Sequence, residues 1–144
     1  VCTSSYGVPQ RTAMGFDYKR LSILIAVIEK KLGVYLNKHD IFLNIAGGVR
    51  IDETSVDLAA AMSIYSSYRD IPADSETVVI GEVGLAGEIR TIGNIEKRIN
   101  EAEKLGFKRI ILPKNNIKNL NTKKYKIQIV GVDRIKEAAE AIIS

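Results

Sequence analysis

The sequence predicts an α/β fold, in which a mixed sheet packs with helices as an α+β sandwich. Short apolar segments typical of strands alternate along the chain with longer segments of helical period. Glycine and proline residues separate most of these segments. With 144 residues, of which 46% are hydrophobic, the chain is long enough to fold around a sizeable apolar interior. We therefore expect a single domain over residues 1–144.

The first predicted elements are a strand over residues 1–5 and an irregular arm from Tyr6 to Phe16. A helix is predicted from Tyr18 to Leu32, because Asp17 suits the N-cap and Gly33 suits a left-handed C-cap. One face of this helix is apolar at helical spacing. Its members are Leu21, Leu24, Ile25, Ile28 and Leu32.

The middle of the chain predicts a strand followed by a second helix. His39, the single histidine, is expected to lie in a solvated polar turn just before a strand from Ile41 to Ala46. Thr54 or Ser55 is expected to cap a helix over residues 56–68. The small side chains of that helix indicate close packing against a sheet.

The second half of the chain begins with a predicted hairpin. Strands over 77–82 and 88–92 flank a turn that contains Gly84 and Gly87. The other predicted elements are helices over 94–105 and from Asp133 onward, strands over 108–112 and 125–130, and one helical turn within 114–124.

Composition excludes several classes of protein and site. One cysteine, Cys2, forms neither an internal disulfide nor a C-x-x-C zinc motif, and no phosphate-binding glycine loop is present. No apolar run approaches the roughly twenty residues of a membrane span. We expect a cytoplasmic protein without a metal or a cofactor in this part of the chain.

Charge is distributed unevenly along the sequence. Residues 1–95 hold nine Lys and Arg against eleven Asp and Glu, a net charge of −2, whereas residues 96–144 hold twelve against six, a net charge of +6. A basic segment of this kind favours a polyanionic partner such as DNA. The alternative is that these lysines only keep the surface soluble.

A motif in the middle of the chain resembles a known peptidase domain. The segments 47–57 and 81–98 resemble the proteolytic domain of Lon proteases. More closely, together with Thr3–Leu21 and Glu101–Pro113, they are similar to the Lon-like C-terminal domain of the RadA (Sms) family of bacterial DNA-repair proteins. This resemblance runs almost from one end of the chain to the other.

The resemblance implies a Lon-like fold and a place in a larger protein. Members of the family carry an N-terminal zinc finger and a RecA-like ATPase domain, so we expect this chain to be an excised domain. ATP, Mg and Zn are then expected only in those other domains. The resemblance further implies hexameric rings, a DNA-dependent ATPase that acts in recombination and branch migration, and recombination proteins as partners.

The same resemblance indicates a degenerate Ser-Lys peptidase site. It places Ser55 at the position of the nucleophile and Glu96 at the position of the lysine base. A carboxylate is a weak base for a serine proton and adds negative charge beside a developing oxyanion. Lys97 is adjacent, but one step along a helix turns a side chain by about 100°. We therefore expect no catalytic residue, and we interpret Ser55 as an N-cap or first-turn residue of the helix that follows.

Several acids surround this motif in the sequence, and we expect them to form a polar network with Arg50 or Arg90. This network either holds the hairpin on the helix or marks a contact between subunits. These acids are Asp52, Glu53, Asp57 and Glu96.

The sequence thus favours a non-enzymatic module for assembly and DNA binding. A second hypothesis is a serine peptidase with Ser55 as nucleophile and Lys97 or another amine as base. A third is a domain that only oligomerises. The candidate DNA contacts are Lys97, Arg98, Lys108, Arg109, Lys114, Lys118, Lys123 and Lys124.

Overall fold

The computed structural model describes residues 2–3, 11–14, 17–44 and 54–143. Within these ranges the helices are α1 (Tyr18–Leu32), α2 (Asp57–Arg69), α3 (Ile95–Lys104) and α4 (Ile135–Ile143). The strands are β1 (Cys2–Thr3), β2 (Arg11–Met14), β3 (His39–Asn44), β4 (Thr77–Val79), β5 (Glu82–Val83), β6 (Ile89–Arg90), β7 (Arg109–Pro113) and β8 (Gln128–Val132). Short 3₁₀ turns span Thr54–Val56, Lys114–Asn116 and Thr122–Lys124.

The strands form two three-stranded sheets and a hairpin. In the first sheet β3 is central, antiparallel to β1 and parallel to β2. In the second sheet β7 is central and parallel to both β4 and β8. Strands β5 and β6 pair as an antiparallel hairpin. This arrangement confirms the predicted α/β class.

The central strand of the parallel sheet separates two apolar clusters. Alternate residues of a strand point to opposite faces of its sheet. Ile111 joins a large cluster with buried residues of α1, α2 and α4. Ile110 and Leu112 join a smaller cluster with Ile99 and Ala102 of α3. The sheet is therefore covered by helices on both faces, as is usual for parallel strands.

Helix α1 has the predicted boundaries because its signals are local. The Asp17 carboxylate accepts a hydrogen bond from the Lys19 amide at 3.2 Å, and Gly33 adopts the left-handed conformation with φ of 66°. Four of the five predicted apolar residues are buried, and Leu32 is half-buried. The caps and the apolar face thus define this element without help from distant residues.

Two predictions for the N-terminal half are wrong. Residues Arg11–Met14, expected in an irregular arm, form a strand that pairs in parallel with β3. His39, expected in solvent, begins β3, and its half-buried ring packs edge-on against Tyr68 with 5.3 Å between ring centroids. In both cases the partner lies far away in sequence, so the residues near each position do not indicate the contact.

The predicted strand over 125–130 begins later than expected. The Glu103 carboxylate accepts hydrogen bonds from the amides of Lys126 and Ile127, at 2.6 and 3.0 Å. The ladder with β7 therefore begins only at Gln128. Further smaller differences concern residues 114–124, which hold two 3₁₀ turns instead of one helical turn.

The β5–β6 hairpin confirms the predicted turn at Gly84 and Gly87. The Gly87 amide donates to the Gly84 carbonyl at 3.0 Å, and Gly87 has φ of 82°, a conformation that favours glycine. The Gly87 carbonyl accepts from the Ile135 amide at 2.8 Å, and the Ile89 amide donates to the Asp133 carbonyl at 2.8 Å. These bonds anchor the hairpin to the junction between β8 and α4.

None of the helices in the described part of the chain is long and apolar enough to cross a membrane.

Candidate functional site

Ser55 lies in the 3₁₀ turn that precedes α2, and its side chain is buried. Its carbonyl accepts from the Gly81 amide at 2.9 Å, and the Gly81 carbonyl accepts from the Leu58 amide at 3.0 Å. A Cβ atom at Gly81 would come within 3.0 Å of Ile89, so glycine permits this close approach. The start of α2 is thereby held against the entry to the hairpin.

Of the two structural roles expected for Ser55, N-cap or first-turn residue, the N-cap is wrong. Val56 occupies the N-cap position of α2, and no side-chain cap bond is formed there. The Ser55 hydroxyl instead accepts a hydrogen bond from Nη1 of Arg98 at 3.1 Å. The turn places Ser55 one position too early to cap the helix, and its hydroxyl faces α3.

Arg98 is directed toward Ser55 by its own helix. Its amide donates to the Asn94 carbonyl at 3.1 Å, and its Nε donates to the Gly93 carbonyl at 3.1 Å. The side chain thus folds back toward the N-terminus of α3, as long helical side chains do. A guanidinium remains protonated in proteins and has no acceptor atom. Arg98 can orient the Ser55 hydroxyl, but it cannot accept its proton.

The two residues that the sequence placed near the base position lie in solvent. Glu96 and Lys97 are both exposed, Arg98 is half-buried, and Ile99 is buried. This order follows from the rotation of about 100° per residue along α3. The structure therefore brings Arg98, rather than Glu96 or Lys97, to the serine.

Asp57 is fully buried and forms an ion pair with Arg20 of α1. Arg20 Nε lies 3.0 and 3.1 Å from the two carboxylate oxygens, and Nη2 donates to the same carboxylate. Nη2 also donates to the Val83 carbonyl at 2.8 Å, while the Val83 amide donates to Asp57 at 3.2 Å. The hydrogen bond with Asp57 raises the pKa of Arg20, against the opposing effect of burial. This network joins α1, α2 and the hairpin.

The expected acidic network is therefore organised differently. Asp57 pairs with Arg20 and not with Arg90, which lies 3.5 Å from Glu88 and 4.0 Å from Glu82. Of the other expected members, Glu96 is exposed on α3, and Asp52, Glu53 and Arg50 lie outside the described residues. Across the residues that the structure describes, no three His, Cys, Asp or Glu side chains group to hold a metal ion.

Exposed lysines gather at a groove between the end of α3 and the segment that leads into β8. We call it the lysine groove; it has a volume of about 520 Å³. Lys108 and Lys124, both predicted DNA contacts, line it. Lys104 and Lys126, which are not among the predicted contacts, line it as well. Both belong to the basic C-terminal third, but only the fold shows that they face the same groove.

The other predicted DNA contacts are spread over the surface. Lys114 and Lys118 line a second groove, where the Lys114 amine lies 3.9 Å from Asp133. Lys123 is exposed in the 3₁₀ turn beside Lys124. These lysines remain open to solvent, where ion pairs contribute little to stability.

Arg109 has structural contacts that the sequence did not indicate. Its Nε donates to the Thr77 hydroxyl at 3.0 Å, and its Nη2 donates to the Ala141 carbonyl at 3.1 Å. The half-buried side chain thus connects β4 to the last turn of α4. Two of its donor groups are used inside the molecule.

Comparison of the sequence with known protein families assigns the chain to a family. Residues 8–116 match the family model described as ChlI, subunit ChlI of Mg-chelatase. The chain belongs to this ChlI family.

Relatives of the chain carry a more specific name. It is 50% identical over 138 residues to the DNA repair protein RadA of Listeria monocytogenes, covering 96% of the chain and 30% of that protein. It is 46% identical over 138 residues to RadA of Bacillus subtilis, with 96% and 30% covered. It is 43% identical over 144 residues to RadA of Streptococcus pneumoniae, with 100% and 34% covered. The chain spans about a third of the length of these curated relatives.

Proposed function

We propose that this chain is the non-catalytic assembly and DNA-binding domain of a RadA-type DNA repair protein. The observation that carries the proposal is the hydrogen bond from Arg98 to the Ser55 hydroxyl. A Ser-Lys peptidase requires a neutral amine that accepts the serine proton. A permanently charged guanidinium in that place supports a site without peptidase chemistry, and the Lon-like fold then serves as a scaffold.

The binding of DNA is supported by the charge of the C-terminal third and by the names of the relatives. The lysines of residues 96–144 lie largely on the surface, and four of them share the lysine groove. Neutralising phosphates with such side chains releases counterions and gives affinity without sequence preference.

Assembly into a hexameric ring is the second part of the proposal. A ring would place six copies of the basic surface around one DNA molecule, so that weak contacts act together at a high effective concentration. The ATPase that would drive movement on DNA, with its ATP, Mg and zinc, is assigned to the other parts of the RadA-type protein.

One comparative experiment tests this function. The same preparation of the 144-residue chain is assayed for casein hydrolysis and for binding to duplex DNA by fluorescence anisotropy over a salt series. Size-exclusion chromatography with light scattering gives the oligomeric state. We expect no hydrolysis, and we expect Ser55→Ala to change neither DNA affinity nor its salt dependence.

The charge variant in this experiment is Lys123→Glu with Lys124→Glu. It should weaken duplex binding by about tenfold and flatten the log–log salt slope by roughly 1.8, since each lost contact contributes about 0.9. The control reverses two exposed lysines outside the basic third, Lys19 and Lys38, and should change binding little. Casein cleavage abolished by Ser55→Ala would support the peptidase instead, and an oligomer without DNA binding at low salt would leave only a scaffold.

A further inference from the structure

The outer edge of the parallel sheet is formed by β8, which pairs with β7 on one side. The Gln128 amide donates to the Lys108 carbonyl, next to β7, at 3.0 Å. In a parallel ladder, successive residues of a strand direct their backbone groups alternately toward the partner strand and away from it. The amides and carbonyls of Ile129 and Gly131 are therefore directed away from β7.

The hairpin occupies the same edge beyond the end of β8. The Ile89 amide donates to the Asp133 carbonyl at 2.8 Å, and Glu88 and Arg134 form an antiparallel bridge. Within the described part of the chain, no residue forms a hydrogen bond with the outward backbone groups of Ile129 or Gly131. We call residues 129–131 the open edge.

The open edge has little protection against pairing with another strand. Edge strands of natural proteins are commonly protected by a charged side chain or a proline. Strand β8 has the sequence QIVGV, which contains neither. All three residues of the open edge are half-buried, so part of each remains accessible. Such an edge is a template for a further strand.

A positively charged groove adjoins the open edge at Gly131. It is the second groove described above, with a volume of about 520 Å³, and Lys114, Lys118 and Asp133 are the charged residues that line it. Its lining therefore has a net charge of +1. A Cβ atom at Gly131 would lie 2.6 Å from Cδ1 of Ile117 and 3.1 Å from Cα of Lys114. Glycine thus permits the 3₁₀ turn to pack closely on β8.

The chemistry of the open edge indicates a polypeptide as its partner. An extended peptide supplies N–H donors and C=O acceptors in the alternation that Ile129 and Gly131 require, and its main-chain hydrogen bonds give affinity. The DNA backbone offers acceptors but no donors for the two carbonyls. The net positive charge of the groove favours an acidic residue where the peptide passes Gly131.

A second copy of the chain fits the open edge less well. If two open edges paired in antiparallel fashion about Val130, Lys126 of one copy would lie opposite Arg134 of the other. Like charges directly opposite each other destabilise a sheet. The charges therefore favour a segment of a different protein.

We propose that the open edge of β8 binds an extended, acidic segment of another protein by adding it to the sheet as a further strand. This inference goes beyond the proposed DNA binding and does not depend on it.

The probe is a labelled peptide of about ten residues, long enough for one strand, with alternating valine and threonine and with aspartate at both ends. Fluorescence anisotropy measures its affinity for the 144-residue chain. A peptide of the same sequence with N-methyl groups at alternate residues loses its donors on one side and should bind about tenfold more weakly. A peptide with lysine at both ends should bind about fivefold more weakly than the aspartate peptide.

Ile129→Pro removes one outward donor of the open edge. The ladder with β7 does not use this amide, and proline is tolerated where the N–H of an edge strand faces solvent. Affinity for the aspartate peptide should fall about tenfold. Ile129→Ala also shortens the side chain but keeps the amide, so it is the matched control and should bind like wild type. Neither variant should change affinity for duplex DNA, which separates this proposal from the DNA-binding function.

Circular dichroism checks that Ile129→Pro is folded. If it is not, amide hydrogen exchange of the wild-type chain, followed by nuclear magnetic resonance, replaces it. The aspartate peptide should then slow exchange at the amides of Ile129 and Gly131 by about tenfold.

Several results would overturn the proposal. Strand addition is excluded if the wild-type chain does not bind the aspartate peptide, if the N-methylated peptide binds equally well, or if Ile129→Pro and Ile129→Ala bind alike. Unchanged exchange at Ile129 and Gly131 would exclude it as well. Equal binding of the lysine peptide would contradict an acidic partner. A dimer in light scattering that Ile129→Pro dissociates would assign the open edge to a second copy instead.

Discussion

Charged side chains around Ser55 are turned inward, whereas those of the lysine groove are turned toward solvent. Near Ser55, the buried Asp57 is paired with Arg20, and Arg98 donates to the serine hydroxyl. In the groove, the amines of four lysines stand open around a single carboxylate. Both regions collect polar residues, but the buried charge near Ser55 is paired, whereas the lining of the groove carries an excess of positive charge at the surface.

The difference distinguishes charged residues that stabilise the fold from charged residues that are free to bind phosphates. Buried charges must be paired, because removing one partner leaves the other without solvation. Exposed lysines contribute little to stability, so their charge is available for phosphates. Variants around Ser55 should therefore change stability without changing DNA binding, and variants of the groove lysines should do the reverse.

The largest effect is expected from Arg20→Ala, which would leave the buried Asp57 carboxylate without its cation. We expect a loss of about 3 kcal/mol in the free energy of unfolding, the lower end for a broken buried pair because Arg20 is partly exposed. Urea denaturation measures this loss. Lys19→Ala, one residue away on the solvent face of α1, is the control and should change stability little. Equal effects of the two variants would contradict an inward role for this pair.

Glu103→Ala tests an acid that combines both roles, because it lines the groove and also forms hydrogen bonds inside the fold. It lines the lysine groove, but its oxygen holds two backbone amides. Hydrogen bonds to a charged group contribute about 1.5 kcal/mol or more, so this variant should lose roughly that stability. Its expected effect on DNA affinity is a decrease, since the segment that leads into β8 loses its anchor to α3 even as the net charge rises. Glu101→Ala, exposed on the same helix, is the control, and a gain in affinity from Glu103→Ala alone would show that charge outweighs shape.

The smallest effect concerns an exposed acid that is paired only locally. The pKa of Asp74 is lowered because it accepts the Glu76 amide and, second, the Thr77 hydroxyl. Since the folded-state pKa lies below the ordinary value of 3.8, the stabilisation is present above that pH and is lost as pH falls through the lowered value. Thermal unfolding over an acid pH series should show a slightly smaller acid-induced loss for Asp74→Asn than for wild type. A larger loss in the variant would contradict this sign.

The boundaries of the helices could be predicted from the sequence more accurately than those of the strands. The caps and apolar spacing of α1, and the left-handed Gly106 after α3, act within one or two turns. Strand β2 and the late start of β8 depend on β3 and on Glu103, which lie many residues away. Sequence patterns report local preferences well and distant pairing poorly.

The candidate site likewise combines features that the sequence predicts with features that only the structure shows. From the sequence alone come the α/β class, the hairpin at Gly84 and Gly87, the basic C-terminal third and the absence of a lysine at the aligned base position. Only the tertiary structure decides that Arg98 meets Ser55, that Asp57 is neutralised by Arg20, and that Lys104 and Lys126 join Lys108 and Lys124 in one groove. The physical reason is that hydrogen bonds and ion pairs depend on distances of a few ångströms in space, whereas the sequence orders these residues along a chain that separates Ser55 from Arg98 by 43 positions.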